Sequence, residues 1–180
     1  MTPQDESLFF TDPHVEPSIP GEFSTLYLLR RDAKSCLEHG IQWPGAMCVM
    51  AGIDLLGKFF DGSDSVARSG ERFRAFAGEY LHLSAPDPEA LYQFRNALLH
   101  SFGLFSATKT TNYQFQLRAE GKQAPIVEHL AKGIVKIDLL SLYHGFEAAL
   151  SEYRNDLRTA TKLQKSFDGM FLRYGKIPIR

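Results

Sequence analysis

The chain has little of what builds covalent or metal-held proteins. It carries two cysteines in 180 residues, Cys36 and Cys48, and their spacing gives neither a disulfide framework nor a zinc site. Both fall in apolar helical stretches, so buried thiols in a reducing compartment are expected. Besides His100, the histidines are His14, His39, His82, His129 and His144; they share no metal-ligand spacing, and no metal or cofactor is expected. No run approaches the ~20 apolar residues of a membrane span. The N-terminus, MTPQDESLFFTDPHVEPSIPGEF, lacks the basic segment and apolar core of a signal peptide, so a cytoplasmic protein is expected. An excess of one charge is missing too. The formal net charge is −1, so no global field draws the chain to a polyanion, and any such site must be local. Ser101 and Ser106 lie near His100, but no carboxylate stands in a triad position, which argues against serine-hydrolase chemistry.

What is present is ordinary globular composition, 44% apolar and 23% charged, in a length that fits one domain over residues 21–180. Residues 1–20 hold Pro3, Pro13, Pro17 and Pro20, which predicts an extended arm packed through Leu8, Phe9 and Phe10. A first helix is expected over 22–39, stopped by Gly40. The second, over 44–60, is apolar all round except for Asp54 and reads as central, with Ala51, Gly52 and Gly57 permitting close approach. A third spans 68–81, on which Glu71, Arg72 and Arg74 read as a solvated charge cluster. A fourth runs from 87 to about 102. After Gly103 the period changes: Tyr113–Arg118 alternates as a half-buried strand does, with further strand candidates at 104–107, 125–127 and 133–137. A fifth helix is expected over 138–158 with Asp138 as its N-cap. A shorter basic helix over about 160–174 and a frayed tail at 177–180 follow. Lys162, Lys165, Arg173, Lys176 and Arg180 make that end basic. The pattern predicts a mainly α protein, an up-and-down bundle of about five helices with a small antiparallel sheet between the fourth and fifth.

The fourth helix carries the chemistry. Its stretch LYQFRNALLHSF sets Leu91, Phe94, Leu98 and Phe102 on one apolar face, with Phe73, Phe76 and Tyr80 of the third helix also read as core. Arg95 falls inside that face. A charge there must be paired or open onto a pocket, and Asp54 is the most economical partner. Asn96 and His100 are four residues apart and therefore neighbours. His100 points away from the stripe and is the residue the fold itself does not require.

The run Arg95-Asn96-Ala97-Leu98-Leu99-His100, late in a helical chain and followed by a long helix, resembles the signature of the HEPN superfamily. The resemblance covers residues 22–158 and departs from the simplest bundles at the arm and the sheet. It implies a homodimer through the fourth helix, with Arg95, Asn96 and His100 cleaving RNA without a metal. It also allows a non-catalytic module that binds a partner protein, a nucleotide or RNA. The chemistry suits the residues. Histidine titrates near neutrality and can move a proton, and arginine braces charge growing on a phosphate.

Overall fold

The protein is described from a computed structural model, over residues 1–15, 22–121, 124–130 and 133–178. Among these it is mainly helical, with seven α-helices: α1 (Pro3–Phe9), α2 (Thr25–Glu38), α3 (Gln42–Asp61), α4 (Ser69–Tyr80), α5 (Asp87–His100), α6 (Leu139–Thr159) and α7 (Thr161–Met170). Six short strands accompany them: β1 (Glu22–Ser24), β2 (Phe105–Ala107), β3 (Asn112–Arg118), β4 (Val127–His129), β5 (Ile134–Asp138) and β6 (Lys176–Pro178). No helix of the described residues is long and apolar enough to cross a membrane.

The layout differs from an up-and-down row of about five helices. Helix α3 is the hub, and α2, α4, α5, α6 and α7 all pack on it. Its composition explains this. Ala46, Val49, Met50, Ile53, Leu55, Leu56 and Phe59 are buried and cover more than half of its circumference. The side chain of Phe146 on α6 fills the space over Gly52, where a Cβ would lie 2.6 Å from the ring. One helix cannot present neighbours on so many sides and also belong to a simple row.

The arm is not extended over its whole length. Pro3 sits in the first turn of α1, where its missing N–H is no loss. Thr2 and Asp5 cap that turn reciprocally. Leu8, Phe9 and Phe10 then enter the core, with the Phe9 ring 4.4 Å from Phe59 and 5.1 Å from Phe167. Pro17 and Pro20 lie outside the described residues. Residues 22–24 are a strand rather than a helical turn, because Ser24 caps α2, accepting from Tyr27 N–H (2.9 Å) and donating to the Phe9 carbonyl (3.0 Å). Strand β1 pairs with β6, so Ile177 and Pro178 are not a frayed end.

The second sheet runs β2-β3-β5-β4 and is mixed, not antiparallel throughout: β3 and β5 are parallel, from Gln114 opposite Ile134 to Arg118 opposite Asp138. Phe115, Val135 and Ile137 face the core, and α5 and α6 pack on that side. Asp138 ends β5 and caps α6. Its carboxylate accepts from the N–H groups of Ser141 (2.8 Å), Glu120 (2.7 Å) and Gly121 (3.2 Å). Burial raises its pKa, and these hydrogen bonds outweigh burial, so the carboxyl titrates below its ordinary range.

The charge cluster expected on α4 is only partly solvated. Arg72 is buried, and its guanidinium donates to the Ser65 carbonyl. Helical spacing puts it beside Phe73 and Phe76, facing α3, where Gly57 lets the α4 backbone approach. Both cysteines are free and half-buried.

Candidate functional site

Helix α5 places its residues as the apolar period demands. Leu91, Phe94, Ala97 and Leu98 are fully buried, and Arg95 lies at the edge of that stripe with its side chain 12% exposed. A guanidinium so placed has lost most of its water and requires acceptors. It finds three. Its Nη2 donates to Asp54 Oδ2 on α3 at 2.7 Å, in a salt bridge whose carboxylate is 16% exposed. Its Nη1 donates to Asn96 Oδ1 at 3.1 Å and to Nε2 of His100. The structure thus brings Arg95, Asp54, Asn96 and His100 into one cluster. Two of its polar atoms, Arg95 Nε and Asp54 Oδ1, are buried without a partner among the described residues.

The contact between Arg95 and His100 defines the imidazole. A guanidinium can only donate, so Nε2 is the acceptor and the ring proton sits on Nδ1. His100 is the last residue of α5 and is exposed. Asn96 is half-exposed. The site therefore has a partly buried anion at Asp54, a cation against it, a half-exposed amide and an exposed imidazole.

Phe102 does not continue the buried stripe. Helix α5 ends at His100, Phe102 takes a φ of +46°, and the Gly103 N–H closes the turn onto the Ala97 carbonyl at 3.0 Å. The reversal sends the Phe102 ring outward, where it is 73% exposed. Phe105, three residues on, is 55% exposed. Neither had been marked by sequence reasoning as a surface residue. The signal available was Gly103, which ends a helix early and puts the preceding residue outside its period. Ser106 faces inward, donating to Gln93 Oε1 at 2.6 Å, and is not part of the cluster.

The other histidines stand apart from the cluster. His82 meets Glu152 and His129 meets Asp87, each at 2.9 Å. At the basic C-terminal end, Arg173 is committed to Asp64 at 2.9 Å, while Lys162 and Lys165 are exposed. Arg180 lies outside the described residues.

A second arginine pair went unnoticed in the sequence. Arg30 of α2 is nearly buried and grips both carboxylate oxygens of Glu147, at 3.0 and 2.6 Å, while donating to the Thr11 carbonyl at 2.7 Å. Arg154 and Arg158 of α6 hold Glu6 of α1, at 2.7 and 2.9 Å. Burial raises the Glu6 carboxyl, but the hydrogen bonds and charges of the two arginines prevail, so it titrates below its usual range. These pairs dock α1 and are structural. No protein family, curated protein or solved structure matches the chain.

Proposed function

We propose that the chain is an HEPN-like protein whose Arg95–Asn96–His100 cluster is a metal-independent endoribonuclease site, acting in a homodimer formed through α5. The single observation that supports this reading is the guanidinium of Arg95, held by partly buried Asp54 on one side and turned onto the exposed imidazole of His100 on the other. A merely structural ion pair needs only Asp54. In the free protein, Arg95 occupies the lone pair of Nε2. An RNA phosphate is a better acceptor than a neutral imidazole and takes over the Nη1 hydrogens. His100 Nε2 is then free to accept the proton of a ribose 2′-hydroxyl. The 2′-oxygen bonds to phosphorus and the bond from phosphorus to the 5′-oxygen breaks. The leaving oxygen takes a proton from an imidazolium, for which the second copy's His100 is the natural donor. The products are a 2′,3′-cyclic phosphate and a 5′-hydroxyl end, with protons balanced across the two imidazoles. Arg95 braces the charge on the phosphate, and Asn96 orients the imidazole or bonds a phosphate oxygen.

The net charge of −1 favours a second reading, a non-catalytic module of the same kind that binds a partner protein, a nucleotide or RNA. Incubation of RNA with purified protein in a chelator separates the two. Wild type should cleave and leave cyclic phosphate ends, while His100→Ala and Arg95→Ala should lose about 100-fold or more in rate. Equal activity in all three proteins, or none in wild type across varied RNAs, rejects the catalytic reading.

A further inference from the structure

The two most exposed large apolar side chains among the described residues lie far apart in the chain, yet the fold brings them to one side. Val66 is 86% exposed and Leu172 is 89% exposed. Val66 opens a 3₁₀ turn, Val66–Arg68, between α3 and α4. Leu172 sits in a π-helical turn, Phe171–Gly175, that continues α7. Asp64, two residues before Val66, accepts from Arg173 Nη1 and from the Tyr174 hydroxyl, both at 2.9 Å. Gly62 backs onto Ser166 of α7, where a Cβ would lie 2.7 Å from the hydroxyl oxygen. The loop after α3 is therefore strapped along α7 and its terminal turn. Leu172 is held outward from within, because the buried Phe171 ring folds over Gly175, where a Cβ has no room.

The charge on this side has one sign left over. Lys162 and Lys165 are exposed on the outer face of α7. Leu172 follows Lys165 by seven residues, about two turns, so lysine and leucine share that face. Gly169 lies between them with nothing over it, and Lys176 is exposed just past the turn. The nearby aspartates are engaged, Asp168 by the Met1 amine, Asp64 by Arg173 and Asp61 by Arg68. Lys162, Lys165 and Lys176 have no carboxylate partner among the described residues. A chain of net charge −1 thus carries a locally uncompensated positive corner, with two aliphatic tips protruding from it. An anionic bilayer offers what both need: headgroups that attract the lysines and an acyl boundary that takes the apolar tips. A nucleic-acid backbone uses the cations and leaves Val66 and Leu172 in water. A protein seam is built around a contiguous apolar centre, and a second copy set face to face would oppose lysine to lysine.

We propose that this side of the molecule docks reversibly on an anionic phospholipid surface, with Val66 and Leu172 entering the interface and Lys162, Lys165 and Lys176 facing the headgroups. Such docking needs no membrane span, and Arg95 and His100 take no part in it. Sedimentation with phosphatidylcholine vesicles, with and without about 30% phosphatidylserine, tests it. Wild type should bind the anionic vesicles at least about tenfold more tightly than the neutral ones, and about 1 M salt should release it. A lysine near such a surface contributes about fivefold, so Lys162→Gln/Lys165→Gln should weaken binding about 25-fold. Leu172→Ser and Val66→Ser should each weaken it about fivefold or more. All four side chains are exposed, so melting temperatures should stay within about 2 °C of wild type, which shows that lost binding is not lost folding. Failure of wild type to bind anionic vesicles overturns the proposal, as does equal binding to neutral ones. Vesicle binding that falls in the lysine variant but survives both serine variants also overturns it. Equal lysine dependence toward a short RNA duplex then assigns the patch to nucleic acid. A dimer seen by light scattering, made monomeric by Leu172→Ser and without affinity for vesicles, assigns the surface to a second copy and overturns it too. Cleavage of RNA by wild type should persist in all these variants, so this surface and the ribonuclease reading fail separately.

Discussion

Removing the carboxylate of Asp54 is the sharpest test of how the cluster is held. Asp54→Ala leaves the Arg95 guanidinium, 12% exposed, without its only anionic partner among the described residues. Its Nε is already buried and unpartnered, so the variant would have two guanidinium nitrogens lacking the acceptors they require. Breaking a buried pair from one side costs about 3–5 kcal/mol. Both groups keep some contact with solvent, which places this pair at the low end, about 3 kcal/mol. For a chain of this length that is a drop of roughly 6–12 °C in melting temperature. Arg95→Met should cost a similar amount, since Asp54 Oδ1 also has no partner and Oδ2 would lose its own. The double variant Asp54→Leu/Arg95→Met should recover most of the loss, because an apolar pair asks for no hydrogen bonds. Urea unfolding of wild type, Asp54→Leu, Arg95→Met and the double variant closes a double-mutant cycle, with an expected coupling of about 2 kcal/mol or more. Single variants within 0.5 kcal/mol of wild type would refute the reasoning. The pair would then not be held in solution, and nothing would fix Arg95 against His100.

Two further substitutions test other parts of the fold. Tyr153 is fully buried with no partner for its hydroxyl among the described residues, and burial pushes its pKa well above the usual tyrosine value; Tyr153→Phe should therefore leave stability unchanged or raise it by up to about 1 kcal/mol, and a loss above about 1 kcal/mol in urea unfolding would mean that the hydroxyl is satisfied in solution. Asp138 has a carboxyl pKa lowered on folding, so its contribution is complete above about pH 4, the unfolded value, and fades as pH falls through the lower folded value. Asp138→Ala should cost about 2–4 kcal/mol at neutral pH, from one lost N-cap and two loop hydrogen bonds, and the gap to wild type should narrow below pH 4; a gap independent of pH would contradict the assignment.

Periodicity was a good guide where one face decides a residue's place. Leu91, Phe94 and Leu98 are buried for the reason their spacing gives. It misplaced Phe102, which sits four residues after Leu98 and so extends the stripe on paper, because a helix period says nothing once the helix has ended. Composition misread the start of the chain for a related reason: proline breaks a helix interior but suits its first turn, and Pro3 follows a capping threonine. The parallel pairing of β3 with β5 was beyond reach. Strand β4 lies between them in sequence yet takes the outer edge, and no local pattern encodes which of two later strands a first one joins.

The cluster on α5 divides along the same line. That Arg95 needs an anion follows from its position among leucines and phenylalanines, and Asp54 was the one carboxylate in the apolar helix that the sequence makes central. That the same guanidinium also reaches His100 could not be read, because residues five apart are not neighbours on a regular helix face. It requires the arginine to lie along the helix end, with Nη2 anchored on α3 and Nη1 thereby directed at Asn96 and at the last residue of α5. The anchoring and the reach are therefore one property. An arginine held less firmly by Asp54 would swing into solvent, and one not held at all would leave His100 an ordinary exposed histidine. Stability at Asp54 and chemistry at His100 should fail together, even though the two residues lie on different helices.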